Sequence, residues 1–292
     1  MKNKVEFSNA STLSERIREL REKGSKSNRL LSGYILEHSA QAADMTAQIL
    51  ARDTGVSEAT VVRYAKSLGF AGYPEFQAAL HDTLKNRLTS IERLEIAETR
   101  LGSSTLSATL NAEIRSLRAT LETVSESDFD AACEKLLAAK HVYIIGTRSS
   151  TALADYMHFY MTLILDEVRL VQFASGADLY EQLLKVGSDD AVIGITFPRY
   201  SSRTVQAIRY AKSCGATTIA FTDSASSPVV PLSDIVLYAR NDITSFVDSL
   251  VAPMALINAL ISELGRRRRA ETRESLARLE SLWHDHTVYD QG

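Results

Sequence analysis

Five short apolar runs constrain this chain more than any other feature: VYIIG (142–146), VRLVQF (168–173), AVIGIT (191–196), TTIAFT (217–222) and DIVLYA (234–239). Stretches of roughly 20 residues with helical periodicity separate the first four, and the last follows a loop holding Pro228 and Pro231. Parallel strands need long crossovers, whereas antiparallel ones do not, so this alternation predicts an α/β domain with a five-stranded parallel sheet. The expected strand order is the flavodoxin-like 2-1-3-4-5, closed by a helix from Thr244 to Leu264.

In such a sheet a ligand binds beyond the carboxyl ends of the strands where the winding reverses, here between the first and third strands. Those strands run into IIGTRSST (144–151) and ITFPRYSSRT (195–204), two turns crowded with arginine and hydroxyl side chains. Each leads into a helix start, with unpaired N–H groups and a positive dipole end. Gly146 permits a tight turn. Ser149, Ser150 and Thr151 offer hydroxyls on one side, and Thr196, Ser201, Ser202 and Thr204 on the other. Arg148, Arg199 and Arg203 add charge and forked donors, and Tyr200 can cover a small polar ligand. The collection suits a phosphate or a carboxylate. The plainer reading is that the hydroxyls cap helices and the arginines are solvated.

Residues 12–87 read as successive short helices. Within them MTAQILARDTGVSEATVVRYAKSLGF (45–70) places Thr46 to cap one helix, Gly55 to end it in a left-handed turn, Ser57 to cap a second helix and Gly69 to end that. Leu50, Ala51, Val56 and Val61 supply the contacts at the crossing. At about 100° per residue, Val61, Tyr64, Ala65 and Leu68 face inward, and Ala59, Thr60, Arg63, Lys66 and Ser67 face outward. A small, basic outer face of this kind can enter a major groove. Arg63 reaches guanine edges or phosphate, Thr60 and Ala59 meet a thymine methyl, Lys66 neutralises phosphate, Ser57 with the helix N-terminus holds the backbone, and Thr46 and Ser67 complete the candidate DNA contacts. An ordinary helical hairpin with a solvated face is the alternative.

Residues 45–80, ending in KSLGFAGYPEFQAAL, resemble the helix-turn-helix region of the RpiR family of bacterial transcriptional regulators, and the layout of nearly the whole chain agrees. In that family a helical DNA-binding domain precedes a SIS (sugar isomerase) domain that senses a phosphosugar. The resemblance implies operator DNA and a small anionic effector as partners, and a homodimer or homotetramer. The SIS turns usually look like GxGxS and SxSGxT. Here GTRSS and TFPRYS put Arg148 and Arg199 where glycines are expected and Pro198 where a serine is, while Ser201 matches the threonine position. Both arginines add charge, so a sugar acid phosphate is as open as an ordinary phosphosugar.

The expected organisation is a helix-turn-helix domain over 1–90, a helical linker over 91–125, a SIS-like effector domain over 126–265 and a charged helical tail over 266–292. Residues 1–90 hold 13 Lys and Arg against 10 Asp and Glu, and the remainder 20 against 26, so the positive balance falls in the part that carries the groove-reading helix. Hydrophobic residues at 45% and charged ones at 24% are ordinary globular values. Neither a run of the roughly 18 to 20 apolar residues that span a membrane nor a signal peptide stands out, so the cytoplasm is expected. Cys133 and Cys214 lack metal-ligand spacing, and the pattern calls for neither cofactor nor metal. An isomerase is the competing class, with Glu181, His158 or Asp223 as base, but no spacing singles one out. RRRR (266–269) complements the final helix dipole, WHDH (283–286) reads as tail, and Leu276, Leu279 and Trp283 share a helical face.

Overall fold

The computed structural model describes residues 13–87, 89–101, 104–172, 178–241 and 245–289, and divides into two units, Met1–Thr89 and Ser90–Gly292. In the first, helices α1 (Leu13–Lys23), α2 (Lys26–Glu37), α3 (Ser39–Asp44), α4 (Ala47–Thr54), α5 (Glu58–Ser67) and α6 (Tyr73–Arg87) enclose a core that includes Leu20, Leu31, Leu50, Val61 and Phe76. The caps are those the sequence predicts. Thr46 accepts the Ile49 N–H and Ser57 the Thr60 N–H, both at 3.3 Å. Gly55 and Gly69 take φ of 70° and 99°, a region closed to most side chains. Pro74 sits in the first turn of α6, where a missing N–H costs nothing. Tyr64 packs edge-on against Phe76 and shares a buried 2.8 Å hydrogen bond with Ser32; burial raises its phenol pKa. Tyr73 donates to the Met45 carbonyl at 2.7 Å, and burial pushes its hydroxyl up to about 12.

The second unit begins with α7 (Ser90–Leu101), α8 (Thr105–Thr123) and α9 (Glu126–Ala138). Strands β1 (Val142–Gly146), β2 (Val168–Val171), β3 (Ala191–Ile195), β4 (Thr217–Thr222) and β5 (Ile235–Tyr238) follow, all parallel, in the order β2-β1-β3-β4-β5. Helices α10 (Thr151–Met161), α11 (Leu179–Gln182) and α12 (Ser202–Ser213) lie between strands; α13 (Val251–Arg267) and α14 (Arg269–Asp285) follow the sheet. Period-two alternation divides the strand side chains between two layers. Ile144, Ile193 and Ile219 pack with Leu136, Met157 and Leu260 on one side, and Tyr143, Ile145 and Val192 with Leu183, Ile208 and Ala211 on the other. Both faces are therefore covered, which is why the strands read as unbroken apolar runs.

Three boundaries differ from expectation. The final helix starts at Val251 rather than Thr244, which lies outside the described residues; Pro253 fits without a kink only in a first turn. LGSSTLSAT (101–109), whose composition reads as a break within the linker, is already helical from Thr105. Strand β2 ends at Val171, and Phe173 lies outside the described residues. Helices α7 and α8, in the stretch read as linker, group with the second unit, where α8 packs on α13. The arginine run at the end of α13 is paired: Arg266 and Arg267 with Glu263, Arg267 also with Asp130, and Arg268 with Asp166.

Candidate functional sites

Helix α5 shows two unlike faces. Val61, Tyr64, Ala65 and Leu68 are buried, and Ser57, Ala59, Arg63, Lys66 and Ser67 are exposed, with Thr60 partly so. Arg63 lies along the helix and donates to Thr60 Oγ1 at 2.9 Å, and that hydroxyl meets Ser57 Oγ at 2.8 Å. Ser67 hydrogen-bonds back to the Tyr64 carbonyl, leaving Arg63 and Lys66 as the cations of the outer face. Thr46 is spent as the cap of α4, exposed at that helix's start. Arg16 of α1 donates to the Leu68 carbonyl at 3.1 Å and so fixes the far end of α5.

In the second unit the turns after β1 and β3 share the walls of one cleft of about 710 Å³, the size of a small-molecule site. Gly146, Arg148 and Thr151 line it from the first turn, and Arg199, Tyr200, Ser201, Ser202 and Arg203 from the second. A smaller chamber of about 20 Å³ lies between Arg148, Ser149 and Ser150 on one side and Thr196, Arg199 and Ser201 on the other. Thr147 also lines it, and its hydroxyl meets that of Thr204 at 3.5 Å. Thr204 is fully buried and props the turns from behind rather than lining the cleft. Thr196 accepts the Ser201 N–H at 3.1 Å, tightening the second turn, and Tyr200 donates to Asp223 at 2.8 Å.

Gly146 is required by close packing: a Cβ there would strike the Ser150 carbonyl and stand 2.9 Å from the Ala154 Cβ. Arg148 and Arg199, at the two positions where the family pattern has glycine, take left-handed backbone that suits glycine, with φ of 58° and 54°. Left-handed backbone costs an ordinary residue about 1–2 kcal/mol, so both turns carry strain in return for a guanidinium at the cleft.

Sequence reasoning missed Asp155, Leu170 and Gln172 in the large cleft and Asp248 in the small chamber. Asp248 comes from the segment before α13, more than 90 residues downstream of the first turn in sequence. It accepts from Ser149 at 2.8 Å and pairs with Arg93 of α7 at 2.7 Å. Periodicity carries no trace of such a contact; an acidic residue just ahead of the closing helix was the one available hint. Glu181, His158 and Asp223 are absent from the walls of both cavities. Glu181 instead closes a capping box with Asp178 at the start of α11.

Residues 11–87 match the model of the helix-turn-helix domain, rpiR family, and residues 135–263 that of the SIS domain. An uncharacterized HTH-type transcriptional regulator of Haemophilus influenzae is 30% identical over 223 residues, covering 74% of this chain and 75% of the relative. The sugar isomerase domain of an RpiR transcription factor from Sphaerobacter thermophilus superposes with a TM-score of 0.58 at 26% identity, over 61% of this chain and 99% of that one. The Vibrio vulnificus NanR protein complexed with ManNAc-6P gives 0.60 at 21% identity, over 94% and 98%, and shares the fold. A helix-turn-helix domain of the rpiR family joined to a SIS domain defines an HTH-type transcriptional regulator. This chain belongs to the RpiR family of those regulators.

Proposed function

We propose that the protein binds operator DNA through the outer face of α5, and that a small anionic metabolite taken at the two-turn cradle changes that binding. The effector is a phosphosugar or a sugar acid phosphate. The observation that carries this reading is the pair of arginines held in left-handed backbone at the mouth of a cleft of about 710 Å³, beside two helix N-termini. The ManNAc-6P on NanR, a protein of the same fold, supports a phosphosugar. An effector alters DNA affinity only by preferring one arrangement of the protein, so its effect equals its differential affinity. Two copies of α5 on a two-fold axis read half-sites about 10 base pairs, or a multiple, apart.

Thermal-shift titration with hexose phosphates and phosphorylated sugar acids tests the cradle. Stabilisation by the effector is expected in the natural protein and lost in Arg199→Ala with Ser201→Ala; retained stabilisation moves the site elsewhere. Promoter DNA from the protein's own gene region tests the helix. Arg63→Ala is expected to weaken binding by about 1–3 kcal/mol, and Lys66→Ala to lower the salt slope by about 1. Conversion of a phosphosugar without DNA would favour an isomerase, a reading disfavoured by the positions of Glu181, His158 and Asp223 outside the cavity walls. A cytoplasmic location accords with DNA as partner; among the described residues no helix is long and apolar enough to cross a membrane.

A further inference from the structure

We propose that the Asp248 carboxylate is a built-in competitor for the cradle, and that the effector's anionic group takes Ser149 from it and thereby loosens the anchor of α7. This rests on the reading of the two turns as an anion site. One oxygen of Asp248 accepts from Ser149 at 2.8 Å and the other pairs with Arg93 at 2.7 Å. The same carboxylate walls the chamber formed by Arg148, Ser149, Ser150, Thr196 and Ser201. That chamber, about 20 Å³, has room for a single water. A phosphate does not fit while Asp248 stands there, and two anions side by side repel. Ser149 has one hydroxyl hydrogen and serves one anion at a time.

The other end of Asp248 gives the competition its consequence. Arg93 is 1% exposed and lies in the first turns of α7, so the ion pair fixes a buried cation to the cradle. Arg199, from the opposite turn, reaches Ser90 Oγ at 3.2 Å, so both turns hold the start of the same helix. Helix α7 begins at the residue that follows the unit containing α5. A ligand that draws Ser149 and Arg199 to itself releases both holds. By reciprocity, the anchored form of α7 binds that ligand more weakly.

The test uses the full chain. Calorimetric titration with inorganic phosphate and with glucose 6-phosphate is run on the natural protein, on Asp248→Asn, and on Arg199→Ala with Ser201→Ala. Removing the carboxylate charge is expected to tighten binding about tenfold or more. In the natural protein, saturating phosphate is expected to speed amide hydrogen exchange over residues 90–101. Equal or weaker binding in Asp248→Asn, with binding still lost in the Arg199/Ser201 variant, overturns the competition and leaves the cradle standing. Binding that ignores the Arg199/Ser201 changes, or no binding in any variant, removes the cradle and the competition together. Should Asp248→Asn not fold, unchanged or slowed exchange over 90–101 in the natural protein overturns the proposal.

Discussion

Arg148 and Arg199 set charge at the cleft against backbone stability at single positions. Each occupies backbone that suits glycine, so Arg148→Gly or Arg199→Gly is expected to stabilise the fold by about 1 kcal/mol, raising the melting temperature by about 2–4 °C. The same change removes a guanidinium from the cleft, and on the proposed reading it is expected to weaken anion binding. Melting curves with and without phosphate read both effects, and a variant that loses stability and keeps affinity would contradict the account. The sequence showed that these two positions depart from the family pattern, because the neighbouring serines keep register. It did not show that both take left-handed backbone, since arginine ordinarily disfavours it. Asp248 was illegible for a different reason: the contact to Arg93 spans 155 positions and follows no periodicity.

At the level of elements, the packing of α12 on β3 depends on Gly194. A Cβ there would stand 2.6 Å from Ile208 Cγ1 and 2.8 Å from Cδ1, and Ile208 is fully buried. Gly194→Ala is expected to cost about 1–3 kcal/mol in denaturant unfolding through overpacking. Adding Ile208→Ala should cost less than the two single changes summed, because the new methyl fills part of the space vacated. Since α12 begins at the cradle, the single variant should also weaken anion binding. The strands were readable because both faces of a parallel sheet are buried, and α4 and α5 because their caps are local chemistry at fixed offsets. The start of α13 at Val251 rather than Thr244 follows from Pro253, which fits without a kink only in a first turn.

Across the whole molecule, the arginine run expected to complement the helix dipole also anchors α13. The Arg266 and Arg267 guanidiniums hydrogen-bond Glu263 and pull its carboxyl from 4.5 to about 2, while Arg267 ties α13 to Asp130 of α9. A carboxyl with a lowered folded pKa contributes stability above its unfolded value and loses it as pH falls towards the folded one. The contribution is therefore expected to be intact above pH 4.5 and to fade towards pH 2. Comparing melting temperatures across that range should show a smaller drop in Glu263→Gln, and an equal drop would assign acid sensitivity to other carboxyls. Order and layering of the sheet follow from the chain's pattern of apolar runs; this clamp between distant helices does not, because charge runs look alike whether paired or solvated.

Two turns that accept arginine on a glycine frame have a consequence for descent. Glycine and arginine codons can lie a single base apart, and the left-handed backbone of these turns is one that both residues can take. On the proposed reading of the cleft, a duplicated gene could thus pass between neutral and charged versions of this pocket without rebuilding its architecture.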